Sequence, residues 1–140
     1  MSKENIDAVD TLKQFMGAMR DWEEKFYKEQ MELIKAGLDT GESEEKYKTV
    51  LADIFENFSI PDQRSWARLV DLGCGHPPTY DPNRDDIAPP VLSGKTHTIV
   101  VQQTARLKAI YKFYLKSIDG SYKIIKKETK NGDSWKKTAL

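Results

Sequence analysis

The sequence predicts an α+β fold in which helices come first, an antiparallel sheet follows, and the helices lie on one face of that sheet. Three observations carry this. Apolar residues recur at three- and four-residue steps as far as Phe58, glycines and prolines crowd the stretch from Asp71 to Pro90, and the last third alternates like strands, with turn signals at Asp119-Gly120 and Asn131-Gly132. A parallel sheet would need strands and helices to alternate along the chain, and here they are segregated.

The first stripe is Ile6, Val9, Leu12, Met16, Met19, Trp22 and Phe26, then Ile34, one face of an amphipathic helix over about residues 6–36 that Ala36-Gly37 closes. The second, Tyr47, Val50, Leu51, Ile54, Phe55 and Phe58, lies between Thr40-Gly41 and Pro61 and predicts a helix over 43–58 with Ser43 as its N-cap. Both stripes read as core faces. Pro61 and Asp62 suit the opening of a short third helix through Trp66 and Leu69, which sets Arg64 and Arg68 four residues apart on one side. Such a pair could clamp an anion, and a solvated helix face gives the same spacing.

Strand signals begin at Ile87 to Val91 and are clear from Thr96 to Gln102. Between Leu107 and Ser117 the odd positions Leu107, Ala109, Tyr111, Phe113 and Leu115 are apolar, against Lys108, Ile110, Lys112, Tyr114 and Lys116 at the even ones. One face is buried and the other is basic with apolar inserts.

Asp119-Gly120 predicts a two-residue type I′ turn, and such a turn sets the register. Ile118 then faces Ser121, Lys116 faces Lys123, Tyr114 faces Ile125 and Lys112 faces Lys127; Lys136 joins beside Lys127 if Asn131-Gly132 repeats the turn. Like charges directly opposite each other are destabilising, so folding gives no reason for the row. A partner surface would give one, as would protection of the sheet against edge pairing. The candidate partner-binding residues are therefore Lys112, Tyr114, Lys116, Lys123, Ile125 and Lys127, with Arg64 and Arg68 as a second group. On the opposite face the same register aligns Tyr111, Glu128 and Trp135. A carboxylate between two aromatics could act in a pocket, or pair with Lys126 or Lys137 at the rim.

A chain of 140 residues is expected to form one domain, residues 1–140, with a core that needs no staples. One cysteine, Cys74, leaves no intramolecular disulfide framework. The opening residues Met1-Ser2-Lys3-Glu4-Asn5 are polar and no run of about twenty apolar residues occurs, so a reducing, cytoplasmic setting without a membrane partner is expected. The formal charge is zero, yet residues 1–60 hold 8 basic against 14 acidic residues, a net of −6, which leaves +6 on residues 61–140. Sorted charge of this kind can steer a charged partner, although it also describes ordinary solvated surfaces. The basic row would suit an acidic protein better than a nucleic acid, because the chain as a whole carries no positive excess.

Motifs for chemistry are weak. Val70-Asp71-Leu72-Gly73-Cys74-Gly75 looks like the glycine-rich motif of methyltransferases, but that motif needs a strand before it and a helix after it, and here a predicted helix precedes and Pro77-Pro78 follows. Cys74, His76 and His97 lack the second cysteine of a zinc pattern. No nucleophile elbow or Cys/His pair at a known spacing is present. Neither an enzyme nor a cofactor is expected.

Arg64 and Arg68, then Gly75-His76-Pro77-Pro78-Thr79-Tyr80-Asp81-Pro82, Asp86-Ile87, the Thr96 to Gln103 strand, the Tyr111 to Leu115 strand, Asp119-Gly120-Ser121-Tyr122-Lys123-Ile124 and the closing Trp135 to Leu140 occur in one order. With the two leading helices, this pattern resembles the NTF2-fold immunity proteins of bacterial polymorphic toxin systems. Tyr122 stands where a tryptophan is common in them. The resemblance implies a cone of helices packed in a curved sheet, a cognate toxin domain as partner, and neutralisation by binding in the producing cell; it carries over no catalytic residues.

The alternative is a small-ligand binder or an isomerase- or dehydratase-type enzyme using the cavity of the cone, as ketosteroid isomerase does with an aspartate and a tyrosine. Tyr47 and Asp53 share the second helix, but Asp53 falls off its apolar stripe. A closed pocket holding a desolvated carboxylate would favour this alternative, and a filled interior the binder.

Overall fold

The computed structural model describes residues 2–70 and 72–140, without the side chains of Gln63 and Trp66; what was expected of Trp66 in the third helix and of Asp71 in the glycine-rich motif lies outside the described residues. Helix α1 runs from Lys3 to Lys35, capped by Ser2, whose hydroxyl accepts the Asn5 N–H at 3.2 Å. It ends at Gly37, held at φ 68°, with Leu38 N–H donating to Leu33 O at 2.9 Å and Gly37 N–H to Ile34 O at 3.1 Å. Helix α2, Gly41–Phe58, starts two residues before the expected boundary. Ser43 is not its N-cap: its hydroxyl turns to α1, where it donates to Glu29 and accepts from Gln30 Nε2 at 3.1 Å. Joining the two helices takes the place of capping one. Helix α3, Gln63–Val70, opens on Asp62, whose carboxylate accepts the Arg64 N–H at 2.7 Å.

The strands are β1 (Asp86–Ile87), β2 (Val91–Ser93), β3 (Thr96–Gln102), β4 (Ile110–Ile118), β5 (Ser121–Asn131) and β6 (Ser134–Lys137). They form an open antiparallel sheet in the order β1-β3-β4-β5-β6, with β2 beside β1 on the same edge of β3. The single strand expected from Ile87 to Val91 is split, because Pro89 and Pro90 offer no N–H to the ladder. Leu107 is not in β4; it lies in the β3–β4 loop and is almost fully exposed.

All three helices precede the sheet, and α1 and α2 pack on one of its faces. Leu12, Phe15, Met16, Met19, Trp22 and Phe26 of α1 and Leu51, Ile54 and Phe55 of α2 meet Ile99, Val101, Phe113, Leu115 and Ile124 of β3, β4 and β5. Each such buried side chain contributes roughly 1.5–3 kcal/mol. Ile34, at 61% exposure, lies outside this core. The 33 residues of α1 span about 50 Å, against about 37 Å for the 11 residues of β5.

The Gly/Pro-rich segment closes the core from the side. Tyr80 is fully buried, with its ring centroid 5.5 Å from Phe15 and 6.0 Å from Phe113. Glu23, buried on α1, holds the segment by accepting the Gly75 N–H at 3.3 Å and the Thr79 N–H at 2.7 Å. Among the described residues no helix is long and apolar enough to cross a membrane.

Candidate partner interface

The Asp119-Gly120 hairpin has the expected form. Asp119 and Gly120 take φ 54° and 84°, Ile118 faces Ser121, Lys116 faces Lys123 and Leu115 faces Ile124. The ladder then shifts: Tyr114 pairs with Lys126 and leaves Ile125 unopposed in a β-bulge. The link between α2 and α3 meets β5 here, with Ile60 N–H donating to Ile124 O at 3.2 Å.

One inserted residue reverses which side every later residue faces. Three expectations fail for this reason. Lys127 pairs with buried Phe113 and belongs to the core face, Ile125 does not oppose Tyr114, and Lys112 faces Glu128. Lys126 takes the outward place beside Tyr114.

The second hairpin also differs. Its two central residues are Gly132 and Asp133, so Trp135 pairs with Lys130 and Lys136 with Thr129. Trp135 thereby reaches the outer face, where Lys112 Nζ sits 4.1 Å from its ring centroid. The expected alignment of Tyr111, Glu128 and Trp135 does not form. Glu128 lies outside, accepting a hydrogen bond from the Tyr114 hydroxyl, 3.8 Å from Lys126 Nζ and opposite Lys137. Burial, and then the bond to Glu128, push the Tyr114 hydroxyl up to about 12.

The outer face so assembled carries Lys112, Lys116, Lys123, Lys126, Lys130 and Lys137 around Tyr114 and Trp135, with Glu128 among them. Lys123 is anchored, donating to Asn57 O at 2.5 Å and Glu56 O at 3.4 Å at the end of α2. Lys116 is exposed directly opposite it.

Inside, Lys127 Nζ donates to the Tyr80 hydroxyl at 2.6 Å and to Ala139 O at 3.0 Å, with the ring centroids of Tyr111 at 4.1 Å and Tyr80 at 4.9 Å. Burial pulls its pKa down to about 7; Arg68 adds to this and Glu23 opposes it. Phe15, Tyr80, Phe113 and Lys127 pack together between helices and sheet. Asp53 is exposed, while Tyr47 packs on Phe26 at 5.1 Å.

Arg64 and Arg68 both line an open cleft of about 520 Å³, with Glu23, Cys74 and Arg106. Arg68 is engaged there, donating to Leu140 O at 2.6 Å and Gly73 O at 3.1 Å, and its Nη2 lies 3.9 Å from Glu23. Arg64 is exposed. Cys74, His76 and His97 go to different surroundings: Cys74 is half-buried at the cleft, His76 stacks on Tyr27 at 4.4 Å and His97 is buried against Tyr122. Among the described residues no group of three or more His, Cys, Asp or Glu is placed to hold a metal.

Comparison with known proteins decides the family. The family model described as NTF2 fold immunity protein matches residues 7–139. The chain belongs to this family. Immunity protein RhsIA of Dickeya dadantii (strain 3937) is a relative, 29% identical over 122 residues, which make up 86% of this chain and 85% of that protein. No solved structure matches the chain. The family accords with the architecture of helices followed by an unclosed antiparallel sheet.

Glu23 was not singled out in the sequence, Tyr80 figured only within the Gly75–Pro82 motif, and Lys127 was expected on the outer face. Glu23 had a signal: Leu12, Met16, Met19, position 23 and Phe26 follow one apolar stripe in steps of four and three, and a carboxylate on it must be buried with partners.

Proposed function

We propose that this immunity protein, acting as one domain over residues 1–140, neutralises a cognate toxin domain by occluding it, without catalysis, in the cytoplasm of the cell that makes both. Its basic outer face meets an acidic surface of the toxin. Lys112, Tyr114, Lys116 and Lys123 carry over from the sequence reading, Lys126 and Trp135 join them, and Lys127 and Ile125 drop out.

The observation that carries this assignment is the outer face itself. Lys116 and Lys123 stand opposite each other in register, and Tyr114 beside Lys116 and Trp135 under Lys112 give a partner apolar area to bury. The packing of Phe15, Tyr80, Phe113 and Lys127 between helices and sheet supports binding over turnover of a small ligand, and Oε2 of buried Glu23 is taken by two N–H groups. The name of RhsIA, an immunity protein, supports the immunity role.

The test is co-expression with the C-terminal domain of the protein encoded immediately upstream, where a toxin is expected. Restored growth and a stable complex are the expected results. Rescue without a complex, or turnover of the toxin's product by the purified protein, would replace occlusion by another mechanism.

A further inference from the structure

We propose that the β3–β4 loop, residues 103–109, is a preformed anchor that inserts Leu107 into an apolar socket of the toxin, with carboxylates at the socket's rim meeting Arg106 and Lys108. The inference rests on the toxin-binding reading and adds the contact that holds the complex together.

Leu107 is 91% exposed, more than any other large apolar residue described. One exposed leucine is ordinary, and what distinguishes this one is how firmly its loop is held. The residues on either side, Arg106 and Lys108, take φ 59° and 54°, the left-handed region that side chains with a Cβ seldom occupy. Strain of this kind persists only where the surroundings impose it, and it concentrates at functional positions.

The surroundings do impose it. Gln102 Nε2 donates to Gln103 O and Lys108 O, each at 3.0 Å, and buried Gln103 spans the loop, donating to Thr79 O at 2.9 Å and accepting the Ala109 N–H at 3.2 Å. Thr104 is tied to Asp85 Oδ1 at 3.2 Å and Arg84 O at 3.0 Å. Arg106 is fixed by a 2.7 Å bond to Thr79 Oγ1 and lies where Gly75 has no side chain: a Cβ there would sit 2.0 Å from its Nη1. None of these bonds uses the Leu107 side chain. A tip held in this way loses little freedom on binding, so burial of the leucine goes into affinity.

The charge around the tip indicates the partner's rim. Arg106 and Lys108 flank Leu107, and Arg64 and Arg68 line the cleft that Arg106 also borders. Of the carboxylates nearby, Glu23 is buried under two N–H groups and Asp85 is paired with Arg84 at 2.7 Å. An acidic rim around an apolar socket complements this surface.

The experiment measures binding kinetics and melting of the full chain with the upstream-encoded C-terminal domain as probe, comparing Leu107→Ala, Leu107→Asp and Leu107→Met. Alanine should weaken binding about tenfold, mainly through faster dissociation, as expected for one leucine returned to water. Aspartate should weaken it by about 100-fold or more, and methionine should keep it within about threefold. Melting temperatures should not change, since Leu107 packs on nothing. Unchanged affinity for Leu107→Asp would overturn the anchor and leave the toxin-binding reading intact; absence of binding by the unsubstituted chain would overturn both.

Discussion

Lys127 Nζ lies 2.6 Å from the Tyr80 hydroxyl, inside the protein, although the two residues come from a strand and from a loop 47 positions earlier in the chain. The bulge at Ile125 turns the lysine inward, and the Gly/Pro-rich segment brings the tyrosine to it. Burial favours the neutral amine, which leaves a pH signature in stability.

Lys127 titrates at its ordinary value of 10.5 when unfolded and at about 7 when folded. Between these values the unfolded chain holds a proton that the folded chain lacks, so stability rises with pH by up to about 1.4 kcal/mol per unit. Below about pH 7 both forms are protonated and the penalty is complete. Cys74, Tyr80, Tyr111 and Tyr114 have raised values and act in the opposite sense only as their ordinary values of 9 to 10 are reached. Denaturant unfolding between pH 7 and 9 should therefore show a rising slope that Lys127→Met removes. Parallel profiles for the two proteins would contradict the assignment.

Glu23→Ala should cost about 3–5 kcal/mol, because it leaves the Gly75 and Thr79 N–H groups without an acceptor and Arg68 without its carboxylate. Glu23→Gln keeps an acceptor and should cost about half as much. Urea titrations of the two variants check this, and equal losses would show that a neutral acceptor recovers nothing and that the carboxylate's charge carries the whole effect.

Lys116→Glu converts a repelling pair with Lys123 into an attracting one, so stability should stay level or rise by less than about 1 kcal/mol. Association with the toxin should slow and become less salt-sensitive. Lys123→Glu differs, since the loss of its bonds to the end of α2 should cost about 1 kcal/mol. Stopped-flow mixing at two salt concentrations tests the first claim; an unchanged association rate for Lys116→Glu would remove this face from the encounter.

Trp135→Ala should speed dissociation of the toxin with little effect on the melting temperature, because Trp135 packs on the outer face with Lys112 and lies outside the core cluster. A large loss of stability with unchanged dissociation would make Trp135 a structural residue.

The order of helices and strands was legible because each stripe of apolar residues reports the face it buries. The register was legible as far as Leu115 and Ile124, where turn chemistry alone decides it. It failed at the next residue. Ile124-Ile125-Lys126-Lys127 does not alternate, and two apolar residues followed by two basic ones are the trace of an inserted residue that an unbroken ladder hides. The second turn misled because Asn-Gly and Gly-Asp overlap at Gly132 and both suit a hairpin. Leu107 continued the odd-numbered apolar pattern by coincidence, since the loop's left-handed residues leave no mark in residue type. Tyr80 could not be placed from its neighbours, because its partners are distant in the chain.

The two short strands split by Pro89 and Pro90 have a consequence for how much of this protein a cell can hold. An inhibitor that works by occupying its target is needed in at least equal numbers, so it must tolerate crowding with its own copies. A rim of two- and three-residue strands offers no run of unpaired main chain long enough to recruit a neighbour's strand. At the opposite rim, Lys136 and Lys137 of β6 make approaching copies repel. On the proposed occlusion mechanism, more copies then add protection without short rim strands drawing them together.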